Sequence, residues 1–563
     1  MMPSMPRTTP TAPPAADAHD EARYLALAAR DARFDGRFFT GVTSTGIYCR
    51  PVCAVRTPRR ENCRFFTLAA QAESAGFRPC LRCRPELAPR LPAWSIQDAQ
   101  GILVREALRC LDAEGSLWEG APAGTPEGRG IQDGAAAPIQ RVAARLGVSD
   151  RHLRRVFESA LGISPLQYLQ TRRLLAAKQL LTDTALPVTS VAMASGFGSV
   201  RRFNAAFTQH YGLQPTALRR SGSALAIGAA AGAVRLGFRP PLDAPALLAF
   251  FAQRRIQGME TVDARALELR RTVRLQDAEG RACTGWLAAR FDAGPGPRGG
   301  PPKPQVHLQV SASLLPLLPG VIARVRGLFD LDADPDAIHA VLRADFPLGE
   351  GLRVPGAWDG FELAVRAVLG QQVTVAAART LAQRLVERWG EPVETPWPEL
   401  TRLFPSPCAL AACEPDALGQ LGIVRQRQAA ILALSRAVAE GRLALHAAAD
   451  VEATLAALRA LPGIGDWTAH YIAMRALRWP DAFPAGDVAL HKALGVRSAP
   501  RPAQAAEEAS QAWRPWRSYA VVRAWSGLDR AAAETPLPAV EAEESCAKHH
   551  RTPVKRASRD AVR

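Results

Sequence analysis

Two close pairs of cysteines, Cys49/Cys53 and Cys80/Cys83, stand 26 residues apart in a chain that holds only ten cysteines in 563 residues. Spacings of three and two residues inside the pairs bring four sulfurs to one point of a small domain, the geometry of a tetrahedral thiolate site. Soft thiolates in that arrangement select zinc, with an iron–sulfur cluster as the alternative. Four thiolates on one Zn²⁺ sum to −2, and such sulfurs stay deprotonated and nucleophilic toward a soft electrophile such as a methyl group. Arg50, Arg56, Arg59, Arg60, Arg64, Arg78, Arg82 and Arg84 surround the pairs in sequence, which suits a polyanionic partner. Cys63 fits neither pair and reads as an ordinary buried thiol.

The remaining composition bounds the setting. With 48% hydrophobic residues the chain can build three or four cored domains. Scattered cysteines supply no disulfide framework, which points to a reducing cytoplasm. No apolar run reaches membrane-spanning length, and MMPSMPRTTPTAPPAADAHD lacks the apolar core of a signal peptide. A formal net charge of +17 favours nucleic acid as partner. Gly/Pro/Ala-rich seams at 119–138, 219–233 and 292–304 and a polar tail after Ala531 divide the chain.

DARFDGRFFTGVTSTGIYCRPVCAVRTPRRENCRFF and AGFRPCLRCRPE resemble the metal-binding domain of Ada-type alkylation-response proteins over about seventy residues. The resemblance implies that Cys49, Cys53, Cys80 and Cys83 hold zinc and that Cys49 takes a methyl group from a DNA methylphosphotriester. Methylation would take the site from −2 to −1 and tighten DNA binding by reducing repulsion from phosphate.

The segment PIQRVAARLGVSDRHLRRVF places Ile139, Val142, Ala143 and Leu146 at helical spacing, breaks at Gly147, and restarts at Ser149 with Leu153, Val156 and Phe157 inward. A similar unit returns at VTSVAMASGFGSVRRFNAAF, with a helix around Gln170 to Leu181 between them. Tandem helix-turn-helix units ending in FTQHYGLQPTALR resemble the AraC-type DNA-binding domain. Arg151, His152, Arg154 and Arg155 on one recognition helix, and Arg201 and Arg202 on the other, are the candidate DNA contacts; Phe157, Phe203 and Phe207 are core residues.

METVDARALELRRTVRL and KPQVHLQVSAS read as antiparallel strands, and from Leu314 the chain reads as mostly helical. In LPGIGDWTA, Pro462 to Gly465 make a tight turn whose free N–H groups, at Gly463 and Gly465, suit a DNA phosphate. Asp487, in FPAGDVALHKAL, is either a helix cap or a carboxylate beside clamped DNA. These motifs, with VPGAWDGFELAVRAVLGQQVTVAAA and WRPWRSYAVVRAW, resemble an AlkA-type DNA glycosylase of the helix-hairpin-helix superfamily over roughly 234–528.

That resemblance implies excision of alkylated bases (3-methyladenine, 7-methylguanine) from a flipped-out position, with Asp487 as catalytic carboxylate. Trp467, Trp516 and Tyr519 are the pocket candidates. Trp467 stands where strand-cutting relatives place a lysine, so base release without strand scission is expected. No cysteine cluster follows the hairpin, and the PCHR motif of full-length Ada is absent. Gln372 stands where the enteric pattern has a leucine wedge, so the flipping wedge is polar or lies elsewhere.

The sequence therefore leads to a multidomain α+β chain. Its expected order is a lead-in to residue 20, a small four-cysteine zinc domain at 21–90, a connecting segment at 91–138, an all-α tandem helix-turn-helix domain at 139–220 and a linker at 221–233. A small antiparallel β-sheet subdomain at 234–313, an α-helical glycosylase domain at 314–530 and a disordered tail at 531–563 follow. Zn²⁺ is the expected cofactor. Double-stranded, alkylated and promoter DNA and RNA polymerase are the expected partners of a monomer in the bacterial cytoplasm, on the nucleoid, with no membrane. The competing readings are a methylation-activated transcription factor whose glycosylase-like half binds DNA without catalysis, and a zinc-stabilised chromatin protein.

Overall fold

Cys49 enters the fold at the end of a strand. The hairpin β1 (Phe39–Val42) and β2 (Ile47–Cys49) is flanked by β3 (Cys63–Phe66) and β4 (Arg78–Pro79) in the order β3-β1-β2-β4. Pairing is antiparallel except between β2 and β4. Because β4 runs parallel to β2, Cys80 follows directly beside Cys49, and the Cys80 N–H donates to the Tyr48 carbonyl at 3.0 Å. Phe39, Tyr48, Ala72 and Phe77 pack behind the sheet.

The computed structural model describes residues 18–89, 137–184, 186–222, 233–277, 280–292 and 303–534, with positions 103–104, 106–108 and 110–111. Residues 1–17 of the lead-in, most of the three seams and the tail from 535 lie outside the described residues. Four expected boundaries shift, two of them because helices Ala137–Arg145 and Pro215–Gly222 overrun the expected helix-turn-helix span at either end. Helix Ala18–Ala29 begins inside the supposed lead-in, and helix Arg517–Glu534 runs into the supposed tail.

The connecting segment holds helical positions as well, where Val104, Ala107, Cys110 and Leu111 are buried against Ile139, Val142 and Phe157. Their spacing is helical, and it is the signal that could have found them.

The two helix-turn-helix units are built alike. Recognition helices Asp150–Leu161 and Val200–Tyr211 are each 12 residues long. Ser149 and Ser199 cap them, each hydroxyl accepting at 3.2 Å from the N–H three residues on, and glycines in left-handed geometry end both. Helix Pro165–Asp183 joins them. Phe157, Phe203 and Phe207 are fully buried, as their spacing predicts.

That joining helix also carries a buried charge relay. Lys178 Nζ donates to the Cys80 carbonyl at 3.0 Å and to Glu86 at 2.7 Å. Arg84 bridges Glu86 and Asp183 at 2.9 and 2.6 Å, and Arg235 lies 3.6 Å from Asp183. Arg50 is likewise turned inward, onto Asp35 and the Cys83 carbonyl. Two of the eight arginines expected to face a polyanion are therefore bound inside the protein; Arg56, Arg59, Arg64, Arg78 and Arg82 are exposed.

Five antiparallel strands, β5 (Val234–Gly237), β6 (Glu260–Asp263), β7 (Glu268–Gln276), β8 (Ala282–Phe291) and β9 (Gln305–Val310), form a sheet in the order β5-β9-β8-β7-β6. Along β7, Leu269, Val273 and Leu275 alternate inward. Arg271 shares their parity and is buried, which Glu260 at 3.2 Å and Glu362 at 2.7 Å make tolerable. Glu362 belongs to helix Gly360–Leu369 of the helical half, so this ion cluster joins sheet to helices.

Candidate metal centre and aromatic pocket

The four sulfurs of Cys49, Cys53, Cys80 and Cys83 all lie within 4.8 Å of one another. A tetrahedron of Zn–S bonds of about 2.3 Å needs sulfurs roughly 3.8 Å apart, so the cluster fits zinc, its cofactor. Without a cation the thiols drive each other apart. Hydrogen bonds from neighbouring sulfurs pull Cys80 and Cys53 down and push Cys49 and Cys83 up. All four can ionise together only around a positive ion.

Backbone N–H groups of Val55, Cys83 and Arg50 are aimed at the sulfurs of Cys53, Cys80 and Cys83. The largest influences on Cys49 are its three sulfur neighbours, followed by burial. Cys63 is outside the cluster, its thiol pushed up to about 11 by burial.

On the recognition helices, Arg151, Arg155, Arg201 and Arg202 are exposed. Arg154 is tied to Asp150 at 3.0 Å, and Arg155 reaches His152 Nδ1 at 3.2 Å.

Helices Val451–Arg459 and Asp466–Arg475 flank the Pro462–Gly465 turn. Gly463 has φ +75, which a side chain would strain, and a Cβ there would meet Ala430 and the Gln426 carbonyl. Gly465 precedes the second helix and faces open space. The turn is locked to the neighbouring loop by Gln371, whose amide donates to the Gly463 carbonyl at 2.8 Å and to Thr468 Oγ1 at 2.9 Å. Next to it Gln372 is exposed, at φ +53.

Asp487 caps helix Val488–Ala493, its Oδ1 accepting from the Leu490 N–H at 2.7 Å. It does more than cap. Oδ2 accepts from Trp467 Nε1 at 2.9 Å, and Oδ1 also accepts from Trp525 Nε1 at 3.1 Å. The residue is 9% exposed, and no arginine or lysine nitrogen lies within 4 Å of its carboxylate among the described residues. Its negative charge is held by three neutral donors and neutralised by no cation.

Aromatic faces gather beside it. Trp467 stacks on Tyr471 with centroids 5.3 Å apart and planes 12° from parallel, and Trp525 lies 6.4 Å from Tyr471. Arg475 donates to the Tyr471 hydroxyl at 2.6 Å. Burial would raise the Tyr471 phenol, but Arg475 and Arg254 outweigh it and hold the phenol below its ordinary value.

Trp516 and Tyr519 do not join this group. Both are 6% exposed and packed in the core, and the Tyr519 hydroxyl donates to Asp330 at 2.7 Å. They are core residues, and Trp525 and Tyr471, half-buried around Asp487, take the place expected for them.

Four family models match the chain in order: the metal binding domain of Ada over 22–86, a helix-turn-helix domain over 142–221, the AlkA N-terminal domain over 233–359, and the HhH-GPD superfamily base excision DNA repair protein over 365–518. The chain is 38% identical over 530 residues to the "Probable bifunctional transcriptional activator/DNA repair enzyme AlkA" of Mycobacterium tuberculosis, covering 92% of this chain and 99% of that protein. It is 35% identical to DNA-3-methyladenine glycosylase 2 of Escherichia coli, over 52% of this chain and 95% of that protein. It is 30% identical to the bifunctional transcriptional activator/DNA repair enzyme Ada of Escherichia coli, over 39% of this chain and 54% of that protein.

Proposed function

This chain belongs to the AlkA family of bifunctional transcriptional activator/DNA repair enzymes, and we propose that it is a monofunctional DNA glycosylase for alkylated bases fused to a methyl-accepting regulator. The observation that carries the glycosylase reading is the Asp487 carboxylate, fixed by Trp467, Trp525 and the Leu490 N–H and paired with no cation. A base alkylated at N3 or N7 is already cationic, so the C1′–N bond breaks with its electron pair leaving on the base and no strong acid is needed. The sugar is left with oxocarbenium character. Asp487 stabilises that charge until water adds to C1′ and loses a proton.

The other parts of the chain serve that step. The Gly463–Gly465 turn and the following helix N-terminus hold phosphate without reading sequence. Gln372 fills the gap left by the flipped base, and Trp467, Tyr471 and Trp525 stack on it. No lysine stands at Trp467 to form a Schiff base, so the strand is left whole. Single-turnover release of 3-methyladenine or 7-methylguanine from methylated duplex DNA is the test. DNA binding with no base released would leave a transcription factor with a glycosylase fold.

In the regulator half, zinc keeps the four sulfurs as thiolates. Cys49, on which the neighbouring sulfurs act more than burial does, is the nucleophile and attacks the methyl carbon of a methylphosphotriester. The C–O bond breaks, and the phosphodiester leaves as an anion. Arg151, Arg155, Arg201 and Arg202 meet promoter DNA, with His152 and Arg154 beside them, and RNA polymerase is recruited there. The working units are 18–89, 137–222, 234–313 and 314–534. The protein works as a monomer in the bacterial cytoplasm, on the nucleoid. Among the described residues no helix is long and apolar enough to cross a membrane.

A further inference from the structure

Beyond Tyr471, the aromatic wall beside Asp487 ends in two guanidinium groups. Arg254 closes helix Ala244–Arg254, and its guanidinium carbon lies 3.6 Å from the centroid of the Phe250 ring one turn earlier. Arg475 lies 4.8 Å from that same ring and 5.4 Å from the Tyr471 ring. Arg475 is fixed by the carbonyls of Pro355 and Gly356 at 2.7 and 3.0 Å. Arg254 donates to the Phe250 carbonyl at 3.2 Å, to Gln253 Oε1 at 3.4 Å and to the Tyr471 hydroxyl.

Every protein atom that receives these donors is neutral. No carboxylate lies within 4 Å of either guanidinium among the described residues. Arg366 behind them is different, since Glu260 and Glu362 neutralise it. Burial, then Arg475 and Arg366, weaken the hold of Arg254 on its proton, with Tyr471 opposing. Two uncompensated positive charges therefore border the ring system that runs from Asp487 through Trp467 and Tyr471.

We propose that Arg254 is a specificity-determining residue of the base pocket. Its guanidinium covers the Phe250 face that a cationic base would otherwise use, and its charge disfavours bases that carry positive charge. Neutral damaged bases escape that repulsion, and a carbonyl oxygen on such a base can accept from Arg254. The preference set by Arg254 is thus for neutral, acceptor-bearing purines over N-alkylated cations. The inference rests on the glycosylase reading and adds to it which residue balances the two base classes.

The test measures single-turnover excision by the full chain from duplexes containing 7-methylguanine, which is cationic, or hypoxanthine, which is neutral; both present O6, so the comparison holds that acceptor constant and varies charge. Arg254→Met keeps an unbranched stem and removes the charge, and it should raise the 7-methylguanine to hypoxanthine rate ratio by about tenfold. Arg254→Lys keeps the charge and should leave the ratio within about twofold of wild type. Arg254→Gln replaces the Met variant if that protein does not fold, with the same rise expected. An unchanged ratio in the uncharged variant, or an equal rise in Arg254→Lys, overturns the inference alone. Release of neither base by the wild-type protein overturns the glycosylase reading and this inference together.

Discussion

Trp467 Nε1 donates a 2.9 Å hydrogen bond to Asp487 Oδ2 across twenty positions of sequence. Trp467 sits in the first turn of the helix that leaves the Gly463–Gly465 turn, so the hairpin and the carboxylate are one mechanical unit. Under the proposed function, DNA gripped by the hairpin would arrive in fixed register with the Asp487 charge.

Asp487→Asn keeps the size and capping ability of the side chain and removes its charge. Excision of 3-methyladenine should fall by about 10²-fold or more. Binding to DNA with an abasic-site analogue should be unchanged. Normal excision by a folded variant would reduce Asp487 to a cap, worth about 1 kcal/mol of stability.

Trp525→Phe removes one of the two N–H donors to Asp487 Oδ1 and keeps an aromatic face. Single-turnover excision should drop about tenfold, the scale of a hydrogen bond to a charged group. An unaffected rate would show that the Leu490 and Trp467 donors suffice.

The purified protein should carry one zinc per chain. After exposure to methylphosphotriester DNA, mass spectrometry should find one added methyl, on Cys49. A methyl on Cys53, Cys80 or Cys83 would move the acceptor. The change from −2 to −1 should tighten promoter binding at fixed salt, read by footprinting. Equal affinity before and after methylation would leave repair without a switch.

Glu362 lies between Arg271 and Arg366. Burial works to raise its carboxyl, but the two guanidiniums outweigh burial and hold it below its ordinary 4.5. A lowered carboxyl binds its proton less readily folded than unfolded, so its stabilisation is complete above about pH 4.5 and is lost as pH falls through the folded value. Glu362→Gln should cost about 1–3 kcal/mol near neutrality, because Arg271 and Arg366 are left to share Glu260. In melting scans the gap between variant and wild type should narrow below about pH 4.5. A gap that stays constant with pH would refute the assignment.

What was legible in the sequence was local. Cysteine spacing, the Ser149 cap and the Pro462–Gly465 turn are set by neighbours a few residues away, so Cys49, Cys53, Cys80 and Cys83 converge as expected. Asp487 and Trp467 were found from motifs that lie close in sequence. The rest of the pocket depends on which way a helix faces. Tyr519 and Trp525 share helix Arg517–Glu534, but six positions at about 100° each turn them some 120° apart. One therefore points to Asp330 in the core and the other to Asp487. Phe250 and Arg254 come from a helix more than two hundred residues earlier, and no periodicity announces such a meeting. Arg50 and Arg84 read as surface charge until Asp35, Glu86 and Asp183 are seen to enclose them.

Lys178 belongs by sequence to the helix between the two DNA-reading units, yet it is bonded to the carbonyl of Cys80 and to Glu86, while Asp183 at the end of the same helix takes Arg84 on one side and Arg235 of the following sheet on the other. Borrowing the cysteine unit for a chimera would thus take Lys178 from Glu86 and Asp183 from Arg84, leaving those two only each other, and cutting the chain before the sheet would remove Arg235. Each exposed stump would bring a carboxylate or an ammonium that needs a new neighbour, at about 3–5 kcal/mol for one left buried and alone. A graft that works would carry Lys178 and Asp183 along, or replace the whole relay with apolar side chains. The seams visible in composition are therefore poor places for a tailor's scissors.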